Sequence, residues 1–305
     1  MPSETVYGLA ANALDASIAR RIFEIKGRPL IDPLICHFYS LDAIGQHVHL
    51  NDSINKLASV FWPGALTIVA KKKESIPDIV TAGLPSVAIR MPGNEAFRNL
   101  LKSVDFPLAA PSANPFGYVS PSRAEQVEQT LGEQIPAILD AGPCEIGIES
   151  TIIDLRDEQS PSILRHGPIL QEQLSLALGR VVHDRTKEIK QDEKDENEQQ
   201  LAPGRLHCHY SPNASVYLLE NGVINRSVTD KKSALLLNKK PSTPGSEDGT
   251  YWLSEDGDLP TIARNLFDML QKLDRLGYRS IYVERCSNDG IGRAINDRIG
   301  RAAAK

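Results

Sequence analysis

The chain has 305 residues, 41% of them hydrophobic and 24% charged, a balance that suits a folded protein with a sizeable core and argues against collagen, coiled coil or wholesale disorder. Thirty-four Lys and Arg against thirty-nine Asp and Glu leave a formal charge of −5. No bulk positive field therefore draws the chain to nucleic acid or an anionic membrane, and any polyanion must be gripped locally.

In chain order, Asp15 precedes Ile18, Ile22 and Ile25 at helical spacing, with Ala19 and Phe23 beside them, and Gly27 and Pro29 end the run. This predicts a helix whose C-terminal edge presents Lys26 and Arg28. PLICHF is a short apolar run, Ile54 to Phe61 a helix, Pro63-Gly64 a turn and LTIVAKK a strand. In SVAIR, period-two alternation puts Val87 and Ile89 on one face and Ser86, Ala88 and Arg90 on the other, which borders solvent or lines a polar cavity. AEQVEQTLG and ILQEQLSLALG read as amphipathic helices, AILDAG and STIIDL as strands. The first part is thus an α/β or α+β domain.

From Asp184 to Gln200 acids outnumber bases seven to four and Ile189 is the only strongly apolar residue, so the segment cannot bury enough surface to offset its ordering entropy. LAPGRLHCHYSP follows. These features predict residues 1–183 as a first domain, 184–212 as linker and 213–305 as a smaller domain. In the last, ASVYLLE, SALLLN, TYWLS and RSIYVE read as strands, Leu259 to Leu276 as a helix with Ile262, Leu266, Leu270 and Leu273 in one stripe, and a final helix follows Gly292. The order suggests a Rossmann-like sheet without a dinucleotide fingerprint.

No stretch approaches the roughly 18 to 20 apolar residues of a membrane span, and the N-terminus lacks signal-peptide regions. The expected location is cytoplasmic, with organelle import left open. Cys36, Cys144, Cys208 and Cys286 are widely separated and read as reduced thiols. His207, Cys208 and His209 are adjacent and cannot all converge on one ion, so no metal site built from a side-chain cluster is expected.

P-loop, zinc-protease and nucleophile-elbow motifs are absent from the sequence. Two fragments remain. In KGRP, Lys26 and Arg28 sit where a helix gives way to a proline-restricted turn. In PSANP, flanking prolines hold the chain extended, so that Ser112 and Asn114 project to one side. Two cations and two neutral hydrogen-bonding groups suit a phosphate chain. A solvated helix end and an ordinary loop explain the same fragments.

SETVYGLAANA, KGRPLIDPLICH, SVAIRMP, APSAN, ESTIID, LRHGPI, HYSP and GIGRAINDRIGRAA together resemble, in order, the motifs of the YrdC/Sua5 family, in its two-domain Sua5 type. The resemblance implies a YrdC-like twisted mixed sheet with flanking helices, which makes residues 1–183 the catalytic domain, and a smaller Rossmann-like domain. It also implies synthesis of L-threonylcarbamoyladenylate from L-threonine, bicarbonate and ATP, with Mg²⁺ accompanying ATP. Lys26, Arg28, Ser112 and Asn114 match the family's catalytic signature. Threonine would contact Thr5, His37, Arg90, the Ala110 backbone and Ser150. ATP would contact Arg28, Asp32, Ser86, Ser112, Ser120 and Arg165, with Lys26 and Asn114 completing a polar wall and Tyr210 capping the nucleotide from the linker. Asp32 would act through its backbone or through Mg²⁺, since carboxylate and phosphate repel. Tyr210 as an ordinary packing anchor is the competing reading, and Glu4 and Tyr7 receive no role. The family's strand before the SETVYGL motif is not seen ahead of Met1, which implies either an internal start or a less stable fold; Ser3 replaces the family's Thr.

A tRNA threonylcarbamoyl transferase is the implied downstream partner. A second reading is a module that binds double-stranded RNA or the ribosome. A third, a carbamoyl-handling relative of hydrogenase maturation proteins, lacks the accompanying zinc-finger and acylphosphatase sequences.

Overall fold

The computed structural model describes residues 1–186, 201–203, 209–219, 232–242 and 249–304. Most of the acidic linker stretch, with His207 and Cys208, lies outside them. The first sheet has the order β1-β5-β2-β4-β3-β6-β7-β8. Its strands are β1 (Ala11–Asn12), β2 (Ile35–His37), β3 (Leu66–Lys71), β4 (Ser86–Arg90), β5 (Leu108–Ala109), β6 (Thr151–Asp154), β7 (Ser162–Arg165) and β8 (His183–Asp184). It is mixed: β2 runs parallel to β4, β3 to β6 and β7 to β8, while the remaining pairs are antiparallel.

Helix α1 (Ala16–Lys26) forms as its sequence predicts. The Asp15 carboxylate caps it by accepting from Ser17 N at 2.9 Å and Ile18 N at 3.1 Å. Gly27 ends it at φ 61°, a left-handed conformation that glycine adopts without a Cβ penalty. That turn delivers Lys26 and Arg28, both buried, to the crevice behind the helix end. Helices α2 (Leu41–His47), α3 (Asp52–Phe61), α4 (Glu95–Ser103), α5 (Ala124–Leu131) and α6 (Gln171–Leu178) complete this part.

Strand β4 explains where the site sits. Val87 and Ile89 join the main core with Phe23, Ile54 and Leu57 from α1 and α3. Ala88, on the opposite face, packs with Ile35, Val69, Ile152, Leu164 and Ala202. Arg90 ends that second face and lines a cavity.

The second sheet contains β9 (Ser215–Leu219), β10 (Ser233–Lys239), β11 (Thr250–Ser254) and β12 (Ser280–Glu284), all parallel, in the order β11-β10-β12-β9. Helix α7 (Leu259–Arg275) covers it with the stripe Ile262, Leu266, Phe267, Leu270 and Leu273, each buried side chain contributing roughly 1.5–3 kcal/mol. Helix α8 (Gly292–Ala302) follows. Their core also takes in Val6, Val119, Ile148 and Tyr210, so residues of the first part and the linker are packed into the second.

AILDAG is not a strand. Asp140 Oδ1 accepts from Gly142 N at 2.8 Å and from Tyr7 Oη at 2.9 Å, and Gly142 at φ 80° turns the chain away from any partner strand. Cys36, Cys144 and Cys286 are free thiols. No helix among the described residues is long and apolar enough to cross a membrane.

Candidate active site

A cavity opens between the second face of the first sheet and the linker. Its lining includes Arg28 after α1, His37 at the end of β2, Arg90 at the end of β4, Ser112, Ser150 and Arg165 at the end of β7. His209 and Tyr210 close it from the linker, and Thr5, Ala110, Glu149 and Pro203 complete the wall.

Lys26 lies behind this wall. Its Nζ donates to Ser112 O at 2.6 Å and to Asn114 O, tying the helix end to the PSANP backbone. Arg28 donates from Nε to Asp32 O at 2.9 Å and from Nη2 to Pro33 O at 2.7 Å, and pairs with Asp32 Oδ1 at 2.9 Å. Arg165 donates to Ser150 O, Ser150 Oγ and Pro203 O, each at 3.2 Å. The described partners of Lys26 and Arg165 are thus neutral oxygens. At the other end, Arg90 Nη2 pairs with Glu4 Oε1 at 2.5 Å and Nη1 donates to Thr5 Oγ1 at 3.0 Å.

Burial, then the charge of Arg28, pulls the Lys26 ammonium well below its ordinary value. Burial also lowers Arg28 and Arg165. His209 is pushed well below its usual value by burial and then by Arg28 and Lys26, and His37 is pulled to about 3 by burial and then by Arg90, so both rings are neutral near pH 7. Burial raises the Tyr210 phenol, leaving its hydroxyl a donor. A cavity holding cations at a desolvation cost is one that an anionic ligand relaxes.

A family model described as telomere recombination, covering Sua5, YciO and YrdC, matches residues 1–167. A second, described as the C-terminal domain of threonylcarbamoyl-AMP synthase, matches residues 169–304. The chain belongs to the Sua5 family. Threonylcarbamoyl-AMP synthase of Pyrococcus abyssi is 37% identical over 99% of this chain and 89% of its own length. The Bacillus subtilis enzyme of the same name is 34% identical over 99% and 88%. The crystal structure of P. abyssi Sua5 complexed with L-threonine superimposes with a TM-score of 0.89 at 35% identity, covering 99% of this chain and 89% of that one.

Of the residues that the Sua5 resemblance singled out, Thr5, Arg28, His37, Arg90, Ala110, Ser112, Ser150, Arg165 and Tyr210 line the one cavity. Asn114 does not project beside Ser112. Its Nδ2 donates to Pro115 O at 2.8 Å and Tyr118 O at 2.9 Å, because the chain turns after Ser112 rather than staying extended. Asp32 is buried against Arg28 behind the wall. Ser120 is fully buried, and its Oγ donates to Glu149 Oε1 at 2.6 Å, so Glu149 is the member of that pair that faces the cavity. Ser86 starts β4, about 13 Å from Arg90 at roughly 3.3 Å per residue, and Ala202 covers Ala88 between them.

Sequence reading missed four groups. Glu4 holds Arg90, and Glu149 joins Ser120 to Arg298. Arg298 and Arg301, on α8, are buried although charged. Their signal was present: both fall within the apolar stripe of α8, beside Ile295, Ile299 and Ala302. Tyr210 is wedged between His209, 4.1 Å away between ring centres, and Phe267, stacked at 5.4 Å. Its φ of 63° is strained for a residue with a Cβ, and this packing holds it there.

Proposed function

We propose that the chain converts L-threonine, bicarbonate or carbon dioxide, and ATP into L-threonylcarbamoyladenylate and pyrophosphate. A separate transferase would then move the threonylcarbamoyl group to the adenosine beside a tRNA anticodon. The observation that carries this reading is the convergence of Arg28, Arg90 and Arg165 with neutral His37 on one cavity, in a chain of the Sua5 family.

The threonine amine, losing a proton, takes up carbon dioxide as an N-carboxylate. One carboxylate oxygen attacks the α-phosphorus of ATP, the bond from that phosphorus to the β-bridging oxygen breaks, and pyrophosphate leaves with the electron pair. The chain supplies no covalent nucleophile to this sequence. Its part is positioning and charge stabilisation. Arg28, Arg165 and Ser112 would hold the nucleotide, with Lys26 fixing the Ser112 backbone. Arg90, His37, Thr5, the Ala110 backbone and Ser150 would hold threonine. Ser150 Oγ, shared with Arg165 at 3.2 Å and Thr67 at 2.8 Å, joins the two halves. Tyr210 and His209 would keep water from the labile carbamate.

The carboxylates beside the cavity are engaged by cations: Glu4 by Arg90, Asp32 by Arg28 and Glu149 by Arg298. Among the described residues no group of three or more His, Cys, Asp or Glu is placed to hold a metal. Among the described residues the donor set therefore does not form a divalent-ion site of the chain's own. A Mg²⁺ ion would be carried by the phosphate oxygens of ATP, and no step here is routed through it.

The test is threonine-dependent pyrophosphate release by the wild type, Arg28→Ala and Ser112→Ala. Arg28→Ala is expected to fall by about a hundredfold or more, the scale of a lost charge-stabilising donor, and Ser112→Ala by about tenfold or more. Wild-type turnover in both variants would sink the site assignment. A wild type that releases no pyrophosphate but binds double-stranded RNA in a salt-sensitive way would replace the function.

A further inference from the structure

Arg298 belongs to α8 in the second part of the chain, yet its side chain has no solvent exposure and ends among groups of the first. Its Nε lies 2.8 Å from Glu149 Oε2, and the other oxygen of that carboxylate accepts from Ser120 Oγ. Its Nη2 donates to His166 O at 2.9 Å and its Nη1 to Asp297 Oδ2 at 2.8 Å. The guanidinium carbon also sits 5.3 Å from the centre of the Tyr210 ring, on which Phe267 of α7 is stacked. Glu149 and Tyr210 both face the cavity. Two stretches of its wall are therefore set by residues of the second sheet's helices.

An interface anchor alone would not need this residue. A buried ion pair repays little of its desolvation cost, and an apolar side chain of similar volume often serves an interface as well or better. A guanidinium with each arm on a different acceptor instead fixes directions. The direction fixed here is that of the Glu149 carboxylate. With it goes the Ser120 hydroxyl, whose single proton is committed to Glu149 and which can only accept from a further partner.

We propose that Arg298 is a positioning residue of the reaction: it orients Glu149 and Tyr210 against the nucleotide, so that the second part of the chain completes the ATP half of the site. The proposal rests on the function argued above. Of the threonine half, Thr5, His37 and Arg90 have no described bond to Arg298, and Ser150, next in the chain to Glu149, is held from the other side by Thr67 and Arg165, so the threonine contacts should change far less than the ATP contacts when Arg298 changes.

Arg298→Met, Arg298→Lys and Glu149→Gln are compared with the wild type as full chains. Calorimetry gives Kd for ATP and for threonine, and pyrophosphate release gives KM and kcat. In Arg298→Met and Glu149→Gln, Kd and KM for ATP should rise about ten- to a hundredfold, the scale of a misplaced contact, while Kd for threonine stays within about twofold. Arg298→Lys should recover part of the ATP affinity, because an ammonium still reaches Glu149. Equal losses for both ligands, or unchanged ATP affinity in a folded variant, would overturn the proposal. If Arg298→Met does not fold, Arg298→Lys and Glu149→Gln carry the same comparison. Absence of pyrophosphate release by a wild type that binds ATP would count against the function alone, since the ATP-affinity comparison needs no turnover.

Discussion

Gly147→Ala inserts a single carbon between the two parts of the molecule. Gly147 has φ +79°, and a Cβ there would lie 2.4 Å from the carbonyl oxygen of Arg264 and 2.5 Å from its Cα. Both are backbone atoms of α7, so no side-chain rotation relieves the collision. Restoring ordinary contact needs a separation of roughly 1 Å, at an overpacking cost of about 1–3 kcal/mol. The left-handed backbone adds about 1–2 kcal/mol for a residue with a Cβ. Together the substitution should cost about 2–5 kcal/mol, and the displaced helix carries Phe267, one turn beyond Arg264, away from Tyr210. The chain has two tryptophans, Trp62 in the first core and Trp252 on β11. Trp62→Phe and Trp252→Phe backgrounds therefore report urea unfolding of each part separately. With a slope of about 1–3 kcal/mol per molar, the Trp252 transition should move down by about 1 M or more, and further than that of Trp62. Coincident, unshifted transitions in Gly147→Ala would refute the close approach of Gly147 to α7.

Glu4→Gln leaves the buried Arg90 without its carboxylate, and stability should fall by about 3 kcal/mol in urea unfolding. Threonine, whose own carboxylate can pair with Arg90, should then raise Tm by more than it does in the wild type; an equal shift would remove Arg90 from the threonine contact. His37 is held neutral, with a folded value of about 3 against an ordinary 6.5. The unfolded chain binds the extra proton, so the stability His37 contributes is complete above pH 6.5 and is lost as pH falls below it, by about 2 kcal/mol between pH 7 and 5. Burial holds His209 down in the same direction. Melting at the two pH values should show a smaller loss in His37→Gln than in the wild type, and equal losses would refute the burial argument.

Local rules carried far along this chain where one physical cause dominated. Asp15 and Gly27 bound α1 because a cap and a left-handed stop act within a few residues. The alternation in β4 placed Arg90 on the cavity side because pleating permits no other arrangement. The apolar stripe of α7 likewise marked its buried face. AILDAG failed because Asp140 found a turn bond and a tyrosine hydroxyl instead of a strand, and nothing local announces Tyr7 as its partner. At Asn114 too a turn takes up the amide nitrogen, which donates to Pro115 O and Tyr118 O. The Glu149 and Arg298 pair joins residues 149 positions apart and comes from tertiary packing. A charged residue inside an apolar helical stripe was its one trace.

The pairing pattern makes the cavity electrically uneven. At the end proposed for threonine Glu4 balances Arg90, and His37 carries no charge. Near the end proposed for the nucleotide Lys26 and Arg165 lean on neutral oxygens. A neutral amine feels little of that gradient. Once it has captured carbon dioxide it bears a new negative charge, and the same field draws that charge towards the phosphorus. In the proposed reaction such a gradient would act after capture, and it would favour the carbamate over the free amino acid as the species brought forward to react.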